Sequence, residues 1–527
     1  MLPTSKYMDV LGNIETPPFT LQGLDGFPYD EYSKLLSRYD ECANWYSGQV
    51  LEETKQKDGK PVDIYPVKIN PLPSSVQKHA FALFGEVEED EKPLVNTKVI
   101  QVNESDKPAA DLVEQVLTQV WWENNGRANQ WQNGAISQVY GGCVWKASYD
   151  PFDPLRSIPI RIEIPHPKYF VGIPDPSDMW RLKEAWFIKP ITDKEAVENG
   201  YKPSLTQDPQ GYWLIEHWTA SVYDARVNDQ PVRRFVSGNW EEVSGPNEFG
   251  VVPAVYIPHV RIEGFYGENF FDNCKGIIKE MNLRIADYGD AVSVDSHAYH
   301  FITGMQGSPS VLKVAPGVNV INIPSAPSIT GQEQQARVMD SRQASASESM
   351  SRLFEALYDQ YRRDAFIPKV ADGEDEGSQR SGLTLAMRML SLLWHTQIER
   401  YFWTTGLNLF NRIILRMLEV KKEADVTIKH ATMRTKQEWS PVLPRDREML
   451  VNEVVARMGT NLGSPETLFD ILGDIADTEL EKKRILDFKK ALTEASAVQQ
   501  PKQPSSGTNR SKVAPGTPTD SSSSSSE

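Results

Sequence analysis

The 527-residue chain holds three cysteines, Cys42, Cys143 and Cys274, far apart and odd in number. They fit neither a metal-ligand spacing nor a disulfide framework, so they read as ordinary buried thiols of a reducing compartment. Positive charge is in deficit, with 56 Lys and Arg against 72 Asp and Glu and a formal net charge of −16. A protein that grips nucleic acid by neutralising phosphates needs the opposite balance. No run approaches the ~18 apolar residues of a membrane span. The opening MLPTSKYMDV lacks the apolar core of a signal peptide, which predicts a soluble protein made in a cytoplasm. Both G-x-x-x-x-G-K-[ST] and a G-x-G-x-x-G after a strand are missing, as are G-x-S-x-G and H-E-x-x-H. These absences argue against a nucleotide-driven motor, an elbow-type hydrolase and a zinc protease.

Two weaker metal patterns fail on spacing. His297 and His300 lie one turn apart on an expected helix but have no third ligand nearby. Asp372, Glu374, Glu376 and Gly377 begin like a calcium loop, yet its twelfth position is Leu383 where a bidentate Glu is required. The expectation is therefore no catalytic residue, no cofactor and no metal.

What is present is a block of three long amphipathic helices with two unlike interruptions. The first helix is predicted over Glu268–His300, with Phe270, Cys274, Ile277, Met281, Ile285, Tyr288 and Val292 on one stripe. An insert from Phe301 to Gly331 carries a single charge, Lys313, and the β-branched run VLKVAPGVNVINI. A second helix is predicted over Gln332–Asp364, apolar at Met350, Leu353, Leu357 and Tyr361. The acidic, glycine-rich segment ADGEDEGSQRSG follows, and a third helix runs from Leu383 through Met417. Two paired helices of roughly 50 Å cannot bury their stripes alone. Their neighbours are expected to be other copies of the chain. No charged-flank heptad register persists, which argues against a simple coiled coil.

Before this block the pattern is mixed. Asp30 is a candidate N-cap for a helix with Tyr32, Leu35, Tyr39, Cys42 and Tyr46 inward. A short helix SSVQKHAFALFGEV and one helical stretch from Pro108 to Tyr140 follow. Strand-like segments then extend from Cys143 to Val260, as in an α+β domain. Beyond Val420, Ser464 with Pro465 and Thr478 with Glu481 are start signals for further helices. From Ala497 the Pro/Ser-rich tail cannot bury enough surface to fold.

Four stretches in this order carry a resemblance. They are AFALFGEVEED, the strand-to-helix passage AVYIPHVRIEGFYGENFFDNCKGIIKEMNLRIADYGDAV, the segment RSGLTLAMRMLSLL, and GSPETLFDILGDIADTELEKKRI. Together they make the chain similar to the portal proteins of tailed double-stranded DNA bacteriophages. The resemblance implies an α+β portal-type fold: an arm (1–28), an α/β wing (29–266), a first stem helix (267–300) and a small β-containing clip (301–331). A second stem helix (332–364), a tunnel loop (365–382), a wing or tunnel helix with its following segment (383–440), an α-helical crown (441–496) and a disordered tail (497–527) complete it. It further implies a ring of typically about twelve copies at a capsid vertex, through which DNA is packaged and ejected. The implied partners are double-stranded DNA without sequence specificity, the terminase large subunit, major capsid and scaffolding proteins, and a head–tail adaptor. The implied location is the virion, after synthesis in the host bacterial cytoplasm, with no membrane and no enzymatic activity.

On that resemblance Asp372, Glu374, Asp375, Glu376 and Arg380 fall in the tunnel loop. Arg337, Arg342 and Arg352 are channel-facing candidates on the second stem helix, and Val311, Val314, Val318, Ile321 and Ile323 are candidates for clip assembly. Two other readings stay open. One is a different head–tail or baseplate virion protein; the other is a hydrolase whose Trp-rich stretches WWENNGRANQWQNG and GYWLIEHW bind sugars.

Overall fold

The computed structural model describes residues 21, 24–52, 55–57, 60–62, 68–85, 93–100, 103–201, 211–236, 239–296, 299–303, 310–315, 318–323, 337–340, 344–374, 382–442, 447–460 and 481–490. Its fold is mixed helix and sheet, as the segment pattern implies. Two compact units divide it, Met1–Pro444 and Arg445–Glu527. The helices of the first are α1 (Tyr29–Ser47), α2 (Leu72–Phe84), α3 (Lys107–Glu123), α4 (Gly126–Tyr140), α5 (Asp193–Glu198), α6 (Lys275–Ser296), α7 (Ala344–Asp364), α8 (Gly382–Arg388), α9 (Leu390–Lys421) and α10 (Ile428–Ala431). The second unit contains α11 (Arg447–Gly459) and helical residues 481–490. Ser464, Pro465 and Thr478 lie outside the described residues.

Helix α9, 32 residues long, runs through the core of the first unit. Its buried face presents Trp403, Leu407, Phe410, Ile414 and Leu418 at helical spacing. Trp403 meets Phe84 edge-on at 5.5 Å, and Phe410 lies 5.9 Å from Trp145, which in turn meets Trp121 at 5.1 Å. Around this aromatic centre pack α2, α3, α4 and the antiparallel sheet ordered 254–258, 142–149, 160–163. A second antiparallel sheet, 230–231, 222–227, 212–219, 178–191 and 170–175, has its own smaller cores. All three cysteines are buried free thiols, as expected.

Buried polar side chains on α9 fix how its neighbours dock. The Arg400 guanidinium donates to the carbonyls of Leu83 (2.9 Å), Ala82 (3.3 Å) and Ser440 (2.8 Å), satisfying acceptors that the end of α2 leaves open. Asn411, fully buried, accepts from Trp121 Nε1 at 2.9 Å and donates to Thr97 at 3.0 Å.

Several expected boundaries move, each for a local reason. Pro28 occupies the N-cap of α1, leaving Asp30 in the first turn where its charge suits the helix dipole. Tyr32, Leu35, Tyr39 and Cys42 are buried as expected, but near the helix end it is Trp45, not Tyr46, that is buried. The single stretch expected from Pro108 to Tyr140 is two helices, because Asn125 takes a left-handed φ of 53°. Asn124 holds the break by donating to Val120 and Ile160 carbonyls and accepting from Ile162 N–H. The helix expected over Glu268–His300 spans Lys275–Ser296: Asn269 caps Phe271 N–H in a turn before it, and Tyr299–Thr303 leaves it to pair in a sheet. The helix expected over Gln332–Asp364 begins at Ala344, because Arg337–Asp340 is a strand of that sheet. The third breaks at Met389 and continues past Met417 to Lys421.

Gly406 is where α9 touches the strand Ala254–Pro258: a Cβ there would lie 2.4 Å from Ile257 Cγ1. Gly406→Ala is expected to destabilise by about 1–3 kcal/mol through overpacking, despite alanine's better helix propensity. Adding Ile257→Val should recover part of that loss in urea unfolding. Strictly additive effects of the two changes would contradict the contact.

Candidate functional site

Helices α6 and α7 form an antiparallel pair joined at their far ends by a four-stranded sheet. The near ends converge, with Phe271, Cys274, Ile278 and Met281 sharing one core with Tyr361, Ala365 and Ile367. The Tyr361 hydroxyl meets Ser75 Oγ at 2.6 Å, tying the pair to α2. At 22 residues α6 is roughly 33 Å long, shorter than the 50 Å expected because a turn precedes Lys275 and the sheet takes the chain from Tyr299. The sheet is ordered 310–315, 318–323, 299–303, 337–340. Strand 299–303 runs parallel to 318–323 and antiparallel to 337–340. Val311 pairs with Ile321, Ile323 pairs with Thr303, Val318 pairs with Ala315, and Val314 falls at the register shift between Lys313 and Ala315. Strands 310–315 and 337–340 are the edges of this sheet, each with one row of backbone groups unpaired within it.

Arg337 therefore stands on an edge strand, not on a helix. Arg342 lies outside the described residues, and Arg352 is on the exposed face of α7. Of the two histidines weighed for a metal, His297 lies outside the described residues and His300 is on a strand.

Past α7 the chain turns sharply. Phe366 adopts φ 56°, a left-handed conformation disfavoured for a bulky residue, and Lys369–Asp372 forms a 3-10 turn closed by Gly373 at φ 77°. Arg362 clamps this turn. Its guanidinium grips Glu374 through two bonds of 2.8 and 2.6 Å, and its Nε lies 3.1 Å from Asp372. Lys78 of α2 also pairs with Asp372, and the Tyr358 ring lies under Arg362 at 4.4 Å. The Glu374 bonds raise the Arg362 pKa further, and the same bonds pull Glu374 below the usual carboxylate range. Two of the four acidic candidates in this segment are thus tied to the scaffold. Asp375, Glu376 and Arg380 lie outside the described residues.

After that segment, α8 and the first half of α9 expose an apolar stripe. Met387, Leu390, Trp394, Ile398 and Tyr401 are each at least 40% exposed, at spacings of three or four residues. Soluble monomers rarely leave so continuous an apolar face in water. A second apolar surface, a groove of about 850 Å³, is walled by Trp121, Trp122 and Trp131 from the Trp-rich stretch. Among the described residues its lining includes no carboxylate and no histidine. In the other Trp-rich stretch Trp213 is core. Among the described residues no helix is long and apolar enough to cross a membrane.

A family model described as phage portal protein, SPP1 Gp6-like, matches residues 210–495, more than half of the chain. The matched span contains the helix pair, its sheet, the acidic segment and the long helix. No curated protein matches the chain.

Removing the clamp should loosen the turn without unfolding the chain. In Arg362→Ala, backbone amides of residues 369–374 are expected to exchange hydrogen at least about tenfold faster while those of α9 are unchanged. Unaltered exchange at 369–374 would contradict the clamp. Because Glu374 is held below its unfolded value, its contribution is present at neutral pH and fades as pH falls through the lowered value.

Proposed function

The chain belongs to the SPP1 Gp6-like phage portal proteins, structural components of the virion that form a capsid-associated oligomeric ring. On that premise we propose that about twelve copies assemble at one vertex and enclose a channel for double-stranded DNA during packaging and ejection. The observation that carries this reading is the sequence of parts inside the matched span: an antiparallel helix pair with a sheet at its far end, then an acidic turn, then a long helix with an exposed apolar stripe. In the proposed ring α6 and α7 are the stem, and the sheet from Tyr299 to Asp340 is the clip. The segment from Ala365 to Gly382 is the tunnel loop, and the mixed region before Gly267 with α9 is the wing. Residues 441–496 are the crown. The terminase motor docks during packaging and a head–tail adaptor replaces it afterwards, while major capsid and scaffolding proteins surround the ring.

Physical chemistry supports the clip, the α9 contact and the charged channel. The edges of the clip sheet have backbone groups that a neighbouring clip can pair, and Val311, Val314, Val318, Ile321 and Ile323 sit on its two adjacent strands. The stripe from Met387 to Tyr401 gains cover from an adjacent subunit. Twelve copies at −16 each carry −192, so a wall of this protein repels phosphate and gives DNA no deep well at any register. Arg352, with Arg337 and Arg342, supplies weak rings of attraction against that background.

With Asp372 and Glu374 held by Arg362, the acids left to face DNA are Asp375 and Glu376. Replacing both with Lys is expected to slow or stall DNA filling in a packaging assay while rings assemble normally. Undiminished filling by intact rings would remove this loop from the mechanism.

A further inference from the structure

Three buried residues outside the proposed channel meet where α2, α9 and the turn after α7 converge. They are His79, His395 and Glu399, exposed by 1%, 7% and 1%. Each offers one ligand atom, and these atoms lie within 4.8 Å of one another. His395 and Glu399 are one turn apart on α9, so they share a face, and His79 reaches them from α2. We propose that this trio binds a single divalent ion of the zinc class, joining α2 to α9 beneath the turn that follows the helix pair.

The surroundings are those of a ligand set. The His79 Nε2–H donates to the Ala365 carbonyl at 2.8 Å, which leaves Nδ1 with the lone pair for a metal, and among the described residues nothing bonds to that Nδ1. A metal-bound histidine commonly spends its other N–H on a backbone carbonyl in this way. Burial keeps the His79 imidazole neutral, its pKa pushed down to about 3. His395 Nε2 lies 2.9 Å from Glu399 Oε1 but is not aligned for a hydrogen bond. The ring of Phe366, the residue with φ 56°, stacks on His395 at 4.6 Å.

Glu399 is oriented from behind. His259 Nε2 reaches its Oε1 at 2.6 Å while His259 Nδ1 donates to the Glu268 carbonyl, and Gln138 Nε2 lies 3.1 Å from both carboxylate oxygens. Two imidazole nitrogens and one carboxylate suit zinc, with a fourth tetrahedral position for water. Metal bonds of about 2.0–2.1 Å would draw the three side chains together by small rotations. Among the described residues the Nδ1 of His79 is a buried polar atom with no partner, which a fold ordinarily avoids.

The test uses the full chain, stripped with chelator and dialysed against Zn(II) or Co(II). One zinc per chain is expected, and Co(II) should give the intense visible absorption of a tetrahedral site. His79→Gln and His395→Gln should each weaken binding by more than about a hundredfold. Gln138→Ala, which leaves all three ligands in place, should weaken it by about tenfold. Failure of the native chain to take up stoichiometric zinc at micromolar free metal would overturn the site. So would undiminished uptake by the two histidine variants. Should either variant misfold, the native chain's Co(II) spectrum decides, because an octahedral or absent signal also overturns it.

Discussion

A single helix with two apolar faces is the constraint on which this structure turns. One face of α9 buries Trp403, Leu407, Phe410 and Ile414 in the core, which fixes the helix in place. The other, over Leu390, Trp394, Ile398 and Tyr401, stays in water within one chain. Among the described residues nothing covers the second stripe, and rotating α9 to bury it would expose the first. In the proposed ring the neighbouring copy supplies the missing surface, so folding is completed inside a chain and assembly between chains.

The polar groups on α9 make that division rigid. Arg400 closes the end of α2, and Asn411 connects Trp121 with Thr97. Glu399 gathers His259 and Gln138 from two further elements. Each is buried, so a shift of the helix by one turn would strand several polar atoms together. Just beyond, the Arg362 clamp and the left-handed Phe366 set where the helix pair stops and the acidic segment starts. The start of the acidic segment is thereby tied to α7 and α2.

Much of this was legible in the sequence because it rests on periodicity. The inward face of α1 and the β-prone insert follow from apolar spacing and composition, whereas for α9 the same signals marked only a helix and not its buried face. Element ends were less legible, since they depend on tertiary pairing: Arg337–Asp340 is a strand because Tyr299–Thr303 lies beside it, not because its residues are strongly β-forming. The break between α3 and α4 did have a local signal, Asn124-Asn125-Gly126, outweighed by the helical pattern on both sides. The pairing of Arg362 with Asp372 and Glu374 spans a sharp turn and left no pattern to read. His79, His259, His395 and Glu399 come from three separate regions of the chain, so apart from the i, i+4 spacing of the last two no local pattern marks them as a group.

The most direct test of the central claim is electron microscopy of the purified chain across assembly conditions. Rings with a central hole are expected, in which the stripe from Met387 to Tyr401 lies against the adjacent subunit. Compact monomers under every condition, or rings in which that stripe still faces solvent, would contradict it.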